Sequence, residues 1–118
     1  MSLENRTAPR VVVDVRGVLK RDIDPDFTDM MMSNLSLGGC FIKTSVPEPA
    51  GSVVMLRFTL PGSEQSTSIK AVGKVCWVKE GGDGPIGMGV QFVSVDEADR
   101  STLVQYISGL LSEDLFDD

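Results

Sequence analysis

Asn34-Leu-Ser-Leu-Gly-Gly-Cys-Phe-Ile-Lys-Thr44 is the stretch whose punctuation organises the chain. Asn34 and Ser36 readily hydrogen-bond neighbouring backbone, and Gly38 and Gly39 accept dihedrals closed to other residues, so the first half predicts a turn. Residues 40–44 then restart as an apolar run, which predicts a strand. On the other side of the turn, residues 27–33 form a second apolar run containing Met30, Met31 and Met32, expected to pack in the core and at its edge.

The same alternation of strand and turn continues in both directions. Residues 11–20 mix β-branched and polar residues as a strand with one wet face does, and residues 22–26, with Pro25, read as a turn. Downstream, Pro47-Glu-Pro-Ala-Gly51 stops the third run, residues 52–60 alternate inward Val and Leu with outward polar residues, and Pro61-Gly62-Ser63 stops the fourth. Residues 67–79 form a long fifth run with Gly73 midway, a candidate bulge or close-packing point. The glycine-rich residues 81–85 turn the chain into a sixth run at 88–93. Six short strands joined by turn chemistry predict an all-β fold, a six-stranded antiparallel β-barrel over residues 11–93. After it the period changes: Leu103, Val104, Ile107, Leu110 and Leu111 fall on one face of a C-terminal α-helix that starts near Asp96, in a segment placed at 94–112. Ser94 and Glu97 form a candidate capping box, and residues 113–118 are an acidic tail. The apolar helix face must be covered by the open barrel end or by a second copy, so a homodimer is one of two expectations.

Composition narrows the chemistry. The 118 residues suit one domain, and runs such as 11–13 and 53–56 are far too short to cross a bilayer. Residues 1–10 carry Glu4, Arg6 and Arg10 and lack the apolar stretch of a secretory signal, so a cytoplasmic protein without membrane insertion is expected. A net charge of −6 argues against a broad nucleic-acid footprint. With no histidine and only Cys40 and Cys76, imidazole catalysis and a four-ligand zinc site have no material; no enzyme, metal or cofactor is expected. Both cysteines sit in apolar settings and read as buried free thiols. Trp77 could stack on a base, but a single tryptophan in an apolar strand reads rather as core. Asp96, Glu97 and Asp99 are what the dipole of a first helical turn favours.

Two constellations remain. Arg6-Thr-Ala-Pro-Arg10 places two guanidinium groups four residues apart, and Pro9 disfavours helix at Ala8, so the segment reads as a turn or an extended arm able to wrap a ligand, and residues 1–10 as a flexible arm. Each arginine offers a planar fork that matches a phosphate or the O6 and N7 edge of guanine, although two terminal arginines also serve simply as solubilising charge. Asn34 and Ser36, two residues apart, would point to one face of an extended segment, and Gly38 and Gly39 would let a base or phosphate approach the backbone. An ordinary tight turn explains those glycines equally well.

Taken together, Arg6-x-x-x-Arg10 followed by Asn34-x-Ser36-x-x-Gly39 resembles the signature of the PilZ domain family. Cys40-Phe-Ile-Lys-Thr44, Gly73-Lys-Val-Cys-Trp-Val78 and Gly87-Met-Gly-Val-Gln-Phe92 extend the resemblance from Arg6 to about Leu111. The resemblance implies a six-stranded barrel with a terminal helix that receives the bacterial messenger cyclic di-GMP and signals, as an adaptor, to an effector protein. It implies that Arg6 and Arg10 contact guanine edges and phosphates, that Asn34 and Ser36 contact guanine and phosphate from the barrel, and that Gly39, with Gly38 beside it, keeps the surface open. Many members carry a further arginine where this chain has Asn5. The alternative is a PilZ-like interaction module of motility or pilus machinery that binds no nucleotide.

Overall fold

Strict alternation in the fourth run shows how the barrel is made. The structure, a computed structural model, describes residues 10–61, 68–82 and 86–116, with side chains as far as Leu111. Among the described residues, strands β1 (Val11–Arg21), β2 (Thr28–Leu35), β3 (Gly39–Lys43), β4 (Val53–Thr59), β5 (Ser68–Lys79) and β6 (Gly87–Val95) precede a C-terminal helix, α1 (Glu97–Phe116). In β4, Val54, Leu56 and Phe58 point inward and are buried, whereas Val53, Met55, Arg57 and Thr59 point out. The six strands close into an antiparallel barrel in the order β1-β2-β3-β6-β5-β4, so each described strand is paired on both sides. The interior is filled by Met32, Leu35, Ile42, Leu56, Phe58 and Ile69, and Phe58 stacks on Phe92 at 6.4 Å between ring centroids.

Leu103 and Ile107 of α1 join the same core, so the helix covers the barrel with one face. Tyr106, Leu110 and Leu111 pack partly against it, but Val104 does not share that face: one residue beyond Leu103 it is rotated about 100° away and is 39% exposed. The helix starts near Asp96 as expected, but not at Ser94, and it runs beyond residue 112. Ser94 is still paired with Val72 in the β5–β6 ladder, so it cannot start the helix. Asp96 takes that place, its carbonyl accepting the Arg100 N–H at 2.8 Å, and the helical backbone runs on to Phe116, through part of the predicted acidic tail. Asp99 has a role beyond the dipole, because its Oδ2 accepts the Lys70 N–H at 3.1 Å and fastens the first turn to β5.

Two interruptions of the β5–β6 register decide what the barrel shows outside. At Gly73 the ladder shifts, and a Cβ there would strike Val90 Cγ1, so this glycine marks both a bulge and a close approach. Further along, Val75 pairs with Val90 but Trp77 pairs with Gly89, leaving Cys76 as the extra residue of a second bulge. Ile69, Ala71 and Val75 set an inward phase that would have carried Trp77 into the core. The bulge reverses that phase. Trp77 is therefore 43% exposed and Cys76 is exposed, contrary to the core and buried-thiol readings; Cys40 and Met32 are buried as expected. The Trp77 ring lies where a Gly89 side chain would be and stacks on Phe41, 5.3 Å between centroids, on the outer wall.

Candidate functional site

Strand register carries Arg10 to the β2–β3 turn. Val11 pairs with Leu35, so the residue before β1 arrives beside the residue after β2, and the exposed Arg10 stands next to Ser36. Between them opens a groove whose other walls are Gly38 and Gly39 of the turn, Gly89 and Gln91 of β6, and the bulged Cys76 with Trp77.

The turn is closed from within. Ser36 N–H donates to the Gly39 carbonyl at 2.8 Å, Gly38 N–H donates to Ser36 Oγ at 3.2 Å, and the Ser36 hydroxyl donates to the Gly39 carbonyl at 3.3 Å. Ser36 is buried, its hydroxyl hydrogen is spent on the turn, and one lone pair remains. Phe92 N–H donates to the Gly38 carbonyl at 2.8 Å, which fixes the turn against β6. The two glycines then divide the work differently from expectation. A Cβ on Gly39 would meet the Val90 carbonyl oxygen, so Gly39 is demanded by the close approach of β3 to β6 and not by an open ligand surface. Gly38 borders open space, with no atom within 4 Å of where its Cβ would lie.

Asn34 stands apart from these residues. It lies in β2 between Val12 of β1 and Phe41 of β3, and cross-strand partners share a face, so it belongs to the outer row Val12, Asn34, Phe41, Gly89 and Trp77. That row runs alongside the groove that Ser36 lines, with the inward Leu35 between the two polar residues. Asn34 Oδ1 is buried without a hydrogen-bond partner among the described residues. Arg10, Ser36, Gly38 and Gly39 thus converge, Asn34 lies one row over, and Arg6 falls outside the described residues. Sequence reasoning missed Gln91 and Cys76 as groove residues and misplaced Trp77, because the bulge that exposes it leaves no mark in the alternation.

A family profile described as the PilZ domain matches residues 4–109. The chain belongs to the PilZ domain family. Among solved structures, the Bacillus subtilis inhibitor of motility (MotI/DgrA) aligns with a TM-score of 0.77 at 18% identity over 92% of this chain and 52% of that one. The chain therefore spans about half the length of that protein. The PilZ domain of CeSA from a cellulose-synthesizing bacterium aligns with a TM-score of 0.62 at 15% identity, covering 87% of this chain and 98% of that one. At such identities the likeness shows the fold. No curated protein matches the chain in sequence.

The electrostatics of this PilZ groove separate its two thiols. Burial pushes the Cys40 thiol up to about 12, only partly opposed by the positive charge of Arg10, so it stays protonated and unreactive at neutral pH. Cys76 is exposed, with its Sγ 3.5 Å from both the Lys74 carbonyl and Gln91 Oε1. Alkylation near neutral pH should label one thiol in the folded chain and both after unfolding, counted by intact mass. Two rapid modifications of the native protein would contradict the burial of Cys40.

Proposed function

We propose that this PilZ domain is a receptor for cyclic di-GMP that closes over the messenger and passes the change to a partner protein, with no catalysis of its own. The observation that carries the reading is the placement of Arg10: register brings an arginine fork to the mouth of a groove walled by Gly38, Gln91 and the exposed ring of Trp77. A ligand with two guanines and two phosphates requires forked donors, an open backbone and a flat apolar surface, and these are the groups assembled there. The orphaned Asn34 Oδ1 supports the same reading, since a buried acceptor without a donor costs about 1–3 kcal/mol and a guanine N–H would relieve it. Arg6, four residues upstream of Arg10, would supply the second fork as the arm folds down, and the altered surface is what a partner would read. No helix among the described residues is long and apolar enough to cross a membrane. A receptor for an intracellular messenger works in the cytoplasm, and the likeness to an inhibitor of motility makes motility machinery the first setting in which to seek the partner.

One observation favours the alternative of a protein-binding module without nucleotide: the Ser36 hydroxyl already satisfies its own turn. Calorimetric titration with cyclic di-GMP decides between them. Saturable binding is expected, with a gain in stability of about 2.7 kcal/mol at a hundredfold excess over Kd. Absence of both heat and a melting shift would leave only the interaction module.

A further inference from the structure

The outer wall of β1, β4 and β5 carries a surface that the ligand groove does not use. Cross-strand pairing sets Arg57 beside Lys70, Lys20 beside Met55, and Met55 beside Val72, all on the outward face. Met55 is 37% exposed, and Phe27 leans over the same wall with the Arg57 guanidinium carbon 5.0 Å and Lys20 Nζ 5.8 Å from its ring centroid. A shallow groove runs between Phe27, Met55, Arg57, Lys70 and Val72. Neither β4 nor β5 contains a carboxylate. The acidic groups nearest the wall are Asp96 at the rim of the groove, Asp99, already bonded to the Lys70 backbone, Asp29, which stands in the outer row of Arg57 one strand beyond Val18, and Asp26 next to Phe27. Arg57 and Lys70 have no ion-pair partner among the described residues. In a chain of net charge −6, exposed apolar side chains ringed by cations mark a place for an acidic, partly apolar segment.

The chain itself contains such a segment. Glu113-Asp-Leu-Phe-Asp-Asp118 sets four carboxylates around Leu115 and Phe116. It is the chemical complement of the wall. Within one chain this segment is carried away from the groove: α1 starts beside it and, at a rise of about 1.5 Å per residue, takes Phe116 roughly 28 Å from Glu97. The geometry points to a second copy as the occupant: two chains exchange their acidic C-terminal segments, each seating residues 113–118 on the partner's Arg57 and Lys70 wall. Reciprocal exchange makes a two-fold contact in which every copy gives and receives. Segregating charge in this way lets molecules of the same net sign attract.

Sedimentation velocity on the full chain tests this independently of any nucleotide. A concentration-dependent dimer is expected at about 0.05 M salt, weakening at about 0.5 M as the contacts are screened. Arg57→Glu with Lys70→Glu should weaken it on the order of tenfold or more, and so should Glu113→Lys with Asp114→Lys, which leaves the barrel untouched. Combining all four reversals restores complementarity and should restore the dimer. A monomer throughout, a dimer indifferent to the wall, or one lost on reversing the wall but not the tail overturns the proposal; the last would assign the wall to a different acidic partner.

Discussion

Gly39→Ala is expected to destabilise the barrel by about 2–3 kcal/mol, whereas Gly38→Ala should leave stability unchanged or raise it by about 0.4–1 kcal/mol. The two glycines are adjacent in sequence and opposite in environment. At Gly39 the added methyl would meet the Val90 carbonyl oxygen, with the Gln91 Cα 3.2 Å away, and both belong to the strand paired with β3. Backbone cannot rotate aside as a side chain can, so the strands must separate where Gly39 pairs with Gln91 and Cys40 with Val90. At Gly38 nothing lies within 4 Å, and it is not among the described glycines with positive φ, so alanine meets neither a wall nor a strained dihedral. Urea unfolding with an unchanged m-value would register the difference as a shift in midpoint. Gly38→Ala should instead act on the ligand, because its methyl projects into the groove and narrows the approach to Arg10. If Gly39→Ala proved neutral and Gly38→Ala unfolded the chain, the roles given to the two glycines would have to be exchanged.

The same pair shows how far the fold could be read from residues alone. Alternation in residues 52–60 gives β4 almost residue for residue, and the turn at Ser36 and Gly38 follows from types that hydrogen-bond locally. Barrel closure and the terminal helix follow from the count of strands and the change of period. Pattern does not reveal a change of phase within a strand. Cys76 is one extra residue in the β5–β6 ladder, and that residue moves Trp77 from the core to the outer wall and exposes a thiol that composition had placed inside. Nor does the pattern say what a glycine makes room for. Gly39 admits a neighbouring strand, Gly89 admits the Trp77 ring, and only Gly38 faces open space, yet all three look alike in the sequence. The helix does start near Asp96 as expected, but the Ser94 capping box fails for a related reason: Ser94 and Asp96 are both good caps, and the ladder holding Ser94 against Val72 excludes the first. Of the candidate site, Arg10 was legible because its place follows from where β1 begins, and Gln91 was not, because it enters only through its pairing with Gly39 across the barrel.

Arg10→Ala should lower affinity for cyclic di-GMP about a hundredfold, and Arg10→Lys should recover only a small part of the loss. A charge-assisted hydrogen bond contributes about 1.5–3 kcal/mol, and a guanidinium can make two in parallel to a phosphate or a guanine edge. Lysine keeps the charge and loses the fork, so it retains the long-range attraction while forfeiting the paired geometry. Neither change should disturb folding, because Arg10 is exposed, precedes the first strand and makes no hydrogen bond or ion pair to a described residue. That separation makes the experiment decisive: unfolding curves of the three proteins without ligand should overlay, while their calorimetric isotherms diverge. Raising the salt should weaken the wild type and the lysine variant together, since both retain the charge, and should have less effect on the alanine variant. Equal affinity of Arg10→Lys and wild type would reduce the role of this position to charge alone. Equal affinity of all three would remove Arg10 from the site, and with it the observation on which the receptor reading stands.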